Sequence, residues 1–581
     1  MLFFLRKLLA KPVGYGLLFL LVLLLVVFGF SRCPRAPLQV QQLAPLPQHP
    51  LIQVYFNHDQ SSSYTDPYRQ QTRPGDDLEQ IIVDSINSAK TTVDLAVQEL
   101  RLPRIAQALK NRHAAGVRAR VILENTYSRP WSSLTATEVA QLDARESDRY
   151  NEYRQLVDRD QDGQITQAEI NQGDALQILH QAGIPWIDDT ADGSTGSGLM
   201  HHKFVVIDGQ TVIVTSANFT TSDINGDFSS PASQGNANSL LHLQSPPLAT
   251  IFTQEFNLMW GDGPGKQPNS LFGVKKPFRP AQQLSLGEAT VEVQFSPTSP
   301  TIPWQQSSNG LIGSTLSRAR TSVDMALFVF SEQRLANLLE IDHQKGVTIR
   351  ALIEPEFAYR SYSEALDLLG VALSSTTAKS GCHLAVTNHP WQHPIRSVGV
   401  PQLPKGDLLH HKYGVVDQRV VIVGSHNWSE AANQTNDETL MVIDHPTVAA
   451  HYQREFERLY ANSILGLTKS LQRKLQKQQQ QCSAIQATSL EPDSEQATAS
   501  RANFQSSPAI ASTSLNPTPQ RINLNTASQQ ELESLPQVGP KLAERIIQAR
   551  QQKPFTSLSD LDQVAGVGPS LLQKLTDRVT W

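Results

Sequence analysis

Cysteine is nearly absent from this 581-residue chain. Cys33, Cys382 and Cys482 lie far apart and are odd in number, which excludes a disulfide framework and any zinc-ligand spacing. An excess of either charge is missing too: 49 Lys and Arg stand against 54 Asp and Glu, a formal net charge of −5. That balance excludes an overall basic footprint for nucleic acid, so any such surface must be local. Apolar residues make up only 39%, somewhat below the usual range, which points to linkers. The length still allows several domains and a large core.

One long apolar run is present. Arg6, Lys7 and Lys11 precede Val13 to Phe30, an uncharged, mostly apolar stretch of 18 residues, near the minimum for a membrane-spanning helix. A cleaved signal peptide is the rival, but FGFSRCPR follows with no A-x-A site. The reading favours an uncleaved single-pass anchor, N-terminus inside because of its basic flank, with the body of the protein extracytoplasmic (periplasmic or lumenal). If the segment is cleaved, the protein is secreted.

Beyond residue 50 the chain repeats itself. Residues 91–124 resemble residues 321–354: Asp94 matches Asp324, Gly116 matches Gly346 and Glu124 matches Glu354, each at an offset of 230. Each copy reads as strand, helix, glycine turn, strand, which predicts an α/β fold built from a duplicated unit. A second repeat is polar. His201, Lys203, Asp208, Ser216 and Asn218 in GLMHHKFVVIDGQTVIVTSANF recur as His410, Lys412, Asp417, Ser425 and Asn427 in LLHHKYGVVDQRVVIVGSHNW, each at an offset of 209. Period-2 geometry puts His201 and Lys203 on one face of a strand and His202 on the other, and likewise His410 and Lys412 against His411. Asp208-Gly209 between apolar runs predicts a hairpin.

The two stretches resemble the His-x-Lys-x4-Asp…Gly-Ser-x-Asn signature of the phospholipase D superfamily, over about residues 52 to 465. The resemblance implies two pseudo-symmetric halves with one active site between them, cleaving phosphodiesters without a catalytic metal. One histidine attacks phosphorus and forms a phosphohistidine; the other protonates the leaving oxygen and then activates water. Lys203, Lys412, Asn218 and Asn427 meet the charge on the phosphoryl oxygens. Asp208 and Asp417 are expected to hold the hairpins together, with Ser216 and Ser425 in support. The copies differ: Glu438 follows the second motif where Asn238 follows the first, so a carboxylate orients one imidazole only. The expected roles are His201 as nucleophile and His410 as general acid.

DRDQDGQITQAE, Asp158 to Glu169, matches the D-x-D-x-D-G-x5-E calcium loop. Asp158, Asp160 and Asp162 supply carboxylates, Gln164 its carbonyl, and Glu169 a bidentate carboxylate, around a structural Ca2+. The loop resembles an EF-hand or a single-loop relative, flanked by helices. At the C-terminus LPQVGPKLAERI and VAGVGPSLLQKL place Gly before Pro at a helix start, where main-chain N–H groups can meet a phosphate. Residues 521–581 resemble the tandem helix-hairpin-helix domain of the bacterial competence DNA receptor, which implies sequence-independent DNA contacts around Gly539, Lys541, Gly566 and Gly568. Gln537 stands where glycine is usual, and seven Lys/Arg against six Asp/Glu leave this module at only +1.

The expected organisation is an anchor at 1–33, a Pro/Gln-rich tether at 34–50, one half at 51–270 with the insertion at about 145–175, the second half at 285–465, a disordered linker at 483–519, and the all-α tail at 521–581. The expected function is that of a membrane-anchored nuclease with DNA as partner. Hydrolysis or transfer of membrane phospholipid is the alternative enzyme, and a non-catalytic DNA tether the alternative of another class.

Overall fold

The computed structural model describes residues 42–377, 381–384 and 388–488, with parts of 522–580. The membrane anchor expected at 1–33 and residues 489–519 of the expected linker lie outside the described residues. Among the described residues no helix is long and apolar enough to cross a membrane. The chain divides into a unit of Met1–Leu373 with Val386–Gln472 and a unit of Ser374–Ala385 with Arg473–Trp581.

The first unit holds two large sheets. Strands β1 (Ile52–Phe56), β2 (Thr92–Val97), β3 (Arg118–Leu123), β4 (Trp186–Asp188), β5 (Lys203–Ile207), β6 (Thr211–Thr215) and β7 (Ser239–Gln244) form the first, in the order β1-β7-β6-β5-β2-β3-β4. Strands β8 (Gln282–Leu286), β9 (Ala289–Ser296), β10 (Ser322–Leu327), β11 (Thr348–Ile353), β12 (Val398–Pro401), β13 (Lys412–Val416), β14 (Val420–Gly424), β15 (Glu438–Asp444) and β16 (Ser463–Leu465) form the second, in the order β8-β9-β15-β14-β13-β10-β11-β12-β16. The middle of each sheet is the same: a hairpin (β5–β6, β13–β14) lies antiparallel to a strand (β2, β10) that pairs in parallel with the next (β3, β11).

Local sequence accounts for these elements. Helix α1 (Pro103–Ala114) joins β2 to β3; Pro103 sits at its first turn, and Ile105, Ala106, Ala108 and Leu109 are buried at helical spacing. Gly116 follows at φ 90°, a left-handed turn that favours glycine. Its counterpart in the second half is Gly346, φ 95°, after the helix Gln333–Gln344. Both hairpins turn through two left-handed residues, Asp208 and Gly209 in one and Asp417 and Gln418 in the other. That is the type I′ geometry the Asp-Gly pair predicts. The second turn adopts it with glutamine in place of glycine.

Helices α2 (Ala144–Val157) and α3 (Gln167–Gly173) flank the acidic loop of the insertion. After β6 come α4 (Thr221–Ile224) and, beyond β7, α5 (Pro246–Trp260). In the second half α6 (Glu430–Gln434) follows β14, and α7 (Pro446–Ala461) follows β15. The buried faces of α5 and α7 share one core with both sheets, including Phe204, Phe252, Phe295, Tyr413, Met441, Tyr452 and Phe456. Phe252 stands edge-on to Phe204 and Phe295, at 5.1 Å from each, so it ties the first sheet to the second.

Three expectations about segment boundaries are corrected. The Pro/Gln-rich segment is not wholly a free tether: Leu43 N–H donates to Gln60 O at 3.1 Å, and Arg454 donates to Ala44 O at 2.9 Å, so residues 42–50 run along the folded body. The second half begins at Gln282, because β8 pairs with β9. The Gln-rich helix α8 (Lys469–Thr488) continues through residues 483–488, the first part of the expected linker.

In the second unit, Ile522–Asn523 pairs in parallel with Val579–Thr580, and α9 (Pro540–Gln552) packs Leu542, Ala543 and Ile546 with Leu524, Phe555, Leu561 and Leu575 in a small core. This strand pair is a departure from the expected all-α tail. The expected phosphate contacts Gly539, Gly566 and Gly568, and the side chain of Lys541, lie outside the described residues.

Candidate active site

The two motifs meet at the point where the halves exchange main-chain bonds. His201 N–H donates to Asp437 O at 3.0 Å, and His410 N–H donates to Ala237 O at 3.1 Å. Each histidine is thus held by the residue that precedes the other half's polar anchor. His201 Nδ1 lies 2.7 Å from Glu438 Oε2, and His410 Nδ1 lies 3.0 Å from Asn238 Oδ1. The anchors are themselves fixed in matching ways. Ser425 Oγ donates to Glu438 Oε2 at 2.6 Å, and Ser216 Oγ donates to Asn238 Oδ1 at 2.7 Å.

These partners define the tautomer. Asn238 Nδ2 donates to the carbonyls of Asp223 and Asn236, at 2.9 and 3.1 Å, so its oxygen faces His410. With Oδ1 accepting from Nδ1–H, the Nε2 edge of a neutral His410 carries the free lone pair. Glu438 acts on His201 in the same sense. Strand alternation gives the neighbouring histidines a different task. His202 Nε2 lies 3.0 Å from Glu255 and His411 Nε2 3.0 Å from Glu455, both inside the core.

The lysines are fully buried, and each donates to the carbonyl of its own histidine: Lys203 to His201 O at 2.9 Å and Lys412 to His410 O at 2.6 Å. Their other neighbours differ. Lys203 donates to Gln98 Oε1 at 3.2 Å, while Lys412 Nζ lies 4.8 Å from the centre of the Phe328 ring. Gln98 and Phe328 occupy the same place after β2 and β10, at the offset of 230 that the sequence displays, yet neither was singled out from sequence.

Four cationizable groups in one buried space repel each other. Burial first, then Lys203 and Lys412, hold the His201 imidazole well below its usual range. Burial, Lys412, Lys203 and His201 do the same to His410. Burial pulls Lys203 down to about 8 and pushes the Glu438 carboxyl up. Both imidazoles are therefore neutral at pH 7, with the Glu438 and Asp223 carboxylates facing the two lysines.

Asn218 and Asn427 line the same groove, about 990 Å³ in volume, with His201 and His410. The side-chain oxygens of both asparagines are buried without a hydrogen-bond partner. Asp208 and Asp417 stand away from it. Asp208 accepts from the main-chain N–H of Lys90, Thr91 and Thr92 at 2.7–2.9 Å, and Asp417 from Arg320, Thr321 and Ser322 at 2.7–3.0 Å. They pin the hairpin turns to the start of the neighbouring strand.

The insertion forms one wall of the groove. From α2, Arg149 pairs with Glu99 at 2.6 Å, and Glu152 accepts from Phe228 and Ser229 N–H at 2.7 and 2.9 Å. In the acidic loop, Asp158, Asp160 and Asp162 bring carboxylate oxygens within 4.8 Å of one another. Asp158 Oδ1 has no partner, and Gly163 turns at φ 81°. These donors fit a hard cation. Glu169 is engaged elsewhere: its carboxylate accepts from Thr166 N–H at 2.8 Å as the capping box of α3, and from Arg159 N–H at 3.0 Å.

A family model described as cardiolipin synthase, PLD-like domain, matches residues 82–260 and 312–460, which is more than half of the chain. The chain belongs to the phospholipase D-like family, a class of phosphodiester hydrolases. A helix-hairpin-helix motif model matches residues 518–580. The mitochondrial cardiolipin hydrolase of Xenopus tropicalis is 31% identical over 147 residues, 25% of this chain and 57% of that protein. The chain thus spans little more than half the length of that relative. The mitochondrial cardiolipin hydrolase of Mus musculus is 25% identical over 185 residues, 31% of this chain and 72% of that protein. Among solved structures, the phosphatidylserine synthase of Haemophilus influenzae Rd KW20 is 11% identical, covering 77% of this chain and 95% of its own, with a TM-score of 0.45.

Proposed function

We propose that the chain is a metal-independent phosphodiesterase that works through a covalent phosphohistidine and cleaves DNA. The observation that carries the chemistry is the pair of histidines, each held through Nδ1 by an anchor from the opposite half. The two halves act as copies of one unit that share this single site.

A phosphodiester entering the groove brings its negative charge to the two buried lysines and the two imidazoles. Lys203 and Lys412 offset the charge on its non-bridging oxygens, with Asn218 and Asn427 as donors of hydrogen bonds. His201 Nε2 attacks phosphorus and the P–O bond to the leaving group breaks. His410, protonated once the substrate's charge is present, gives its Nε2 proton to the departing oxygen. In the second step His410 takes a proton from water, which attacks phosphorus and releases His201. Glu438 supports the nucleophile by accepting from Nδ1–H as the imidazole becomes cationic.

DNA as the substrate is supported by the helix-hairpin-helix match, since such a module grips the nucleic-acid backbone without reading its sequence. An extracytoplasmic location, with an anchor at 1–33, belongs to the same reading. Ca2+ belongs to it as a structural ion held by Asp158, Asp160, Asp162 and Glu169 with the Gln164 carbonyl, in an insertion that walls the groove and takes no part in the chemistry.

Phospholipid hydrolysis is a second reading, and one observation favours it. Arg101 and Arg149 are both paired with Glu99, and the rim adds Asp148, Glu152, Asp227 and Glu356 against Arg145 and Lys405. A long polyanion gains little from such a rim. One experiment separates the two. The full chain in detergent is incubated with plasmid DNA, single-stranded DNA and phosphatidylcholine vesicles, each in EDTA. DNA cleavage in EDTA, lost in both H201A and H410A while the melting temperature holds, is the expected result. Choline release without DNA cleavage overturns the nuclease reading, and activity surviving either substitution overturns the shared site.

A further inference from the structure

The two halves differ at one buried position beside the site. Thr220 and Ser429 are equivalent N-caps, of α4 and α6, and each hydroxyl accepts from the main-chain N–H three residues on, Asp223 in one half and Ala432 in the other. Asp223 and Ala432 therefore occupy the same place at the same offset of 209. The second half has its anchoring carboxylate at Glu438 and an alanine here. The first half has an amide, Asn238, as its anchor and a carboxylate here.

Asp223 is 4% exposed and does not close a capping box on its own helix. Its Oδ2 accepts from Asn218 N–H at 2.8 Å, and its Oδ1 accepts from Asn236 Nδ2 at 2.5 Å. The same Oδ1 lies 3.7 Å from His410 Nδ1. Asn238 thus makes the hydrogen bond to His410, and Asp223 adds a negative charge just beyond it. We propose that Asp223 is a positioning residue that stabilises the protonated form of His410, the acid of the first step, by taking over from Asn238 the charge that a glutamate there would carry.

This inference rests on the phosphodiesterase reading. An acid and a nucleophile need different support. Glu438 bonds His201 directly and makes it a better base. A neutral acceptor with a carboxylate one step further out fixes His410 in orientation and favours its cation less strongly, so that it still gives up a proton. The other groups near His410 are Lys412 and His411, which follow it in the chain, Lys203 and His201 of the first motif, the Phe328 ring edge-on at 4.8 Å after β10, and Glu354 after β11, which accepts from Leu409 N–H at 2.7 Å. Among the described residues that hydrogen-bond or ion-pair with the His410 ring, Asp223 is the one that carries negative charge.

The test compares D223N with the natural chain on two esters: an alkyl phosphodiester, whose leaving alkoxide needs a proton, and bis-p-nitrophenyl phosphate, whose leaving phenolate hardly does. Removing the charge should move the alkaline limb of the kcat–pH profile down by about one unit, and slow the alkyl ester about tenfold more than the aryl ester. D223N/N238D, which puts the carboxylate on the anchor itself, should restore the limb. If D223N slows both esters equally and leaves the limb in place, Asp223 is only structural and the proposal fails. D223A, which copies Ala432, gives the same readings should the amide not be accommodated. An inactive natural chain on both esters would instead overturn the phosphodiesterase reading.

Discussion

At the residue scale, the proposed mechanism requires one imidazole to stay nucleophilic in a buried site with two lysines. Glu438 is the answer for His201, at 2.7 Å and fully buried. Burial and the two lysines already hold His201 well below the usual imidazole range, so it is neutral at pH 7 and stays neutral as pH falls below the ordinary value of 6.5. Glu438 opposes that shift by favouring the cation. Substituting E438Q removes the opposition. The acid limb of kcat/KM should then move to lower pH, while kcat falls on the order of 10²–10⁴-fold because the cation formed during attack loses its partner. Steady-state kinetics across pH check both. A limb that moves upward, or a kcat unchanged within twofold, would mean that Glu438 does not act on His201.

At the element scale, offsets in the sequence reveal which residues are equivalent, but not which touch. His201 and His410, Lys203 and Lys412, and Ser216 and Ser425 were legible because a strand-hairpin unit repeats them in register. The bonds from His201 to Glu438 and from His410 to Asn238 cross between halves, and no periodicity within one half encodes that. Asp223 escaped notice for a related reason: its worth depends on a four-residue helix, α4, turning it toward a histidine 187 positions later in the chain. Asp158, Asp160 and Asp162 of the acidic loop come together as their spacing implies, since turn chemistry is local. Even so, Glu169 closes the capping box of α3, which sequence spacing alone does not distinguish from ligation. Calcium binding therefore asks α3 to give up that cap. Calcium at a hundred times its Kd should stabilise the protein by about 2.7 kcal/mol. A calorimetric scan with Ca2+ and with EDTA measures this as a rise in melting temperature. D158N/D160N should abolish the rise and leave DNA cleavage in EDTA unchanged; a calcium-independent melting temperature in the natural chain would show that the loop holds no such ion.

At the scale of the whole molecule, the charge balance assigns affinity and chemistry to different parts. Arg101 and Arg149 of the groove are engaged by Glu99, and its rim is rich in carboxylates. Lys203 and Lys412 are buried, so in the proposed mechanism they meet only the phosphate being cleaved. Grip on a long polyanion must then come from elsewhere, and residues 518–580 match a motif suited to it. Counterion release makes this measurable, because log K for DNA falls with log salt in proportion to the number of phosphates neutralised. Deleting residues 521–581 should reduce both the affinity for plasmid DNA and that slope, by about 0.9 for each phosphate that the tail neutralises. Turnover of bis-p-nitrophenyl phosphate should not change, since every group at the reacting phosphorus lies between Gln98 and Glu438. Fluorescence anisotropy between 50 and 200 mM salt, roughly the range over which phosphate binding dominates, decides the matter. An unchanged slope would move DNA binding off the tail and leave the acidic rim with no polyanion to explain, in favour of a substrate that offers the site one phosphodiester at a time.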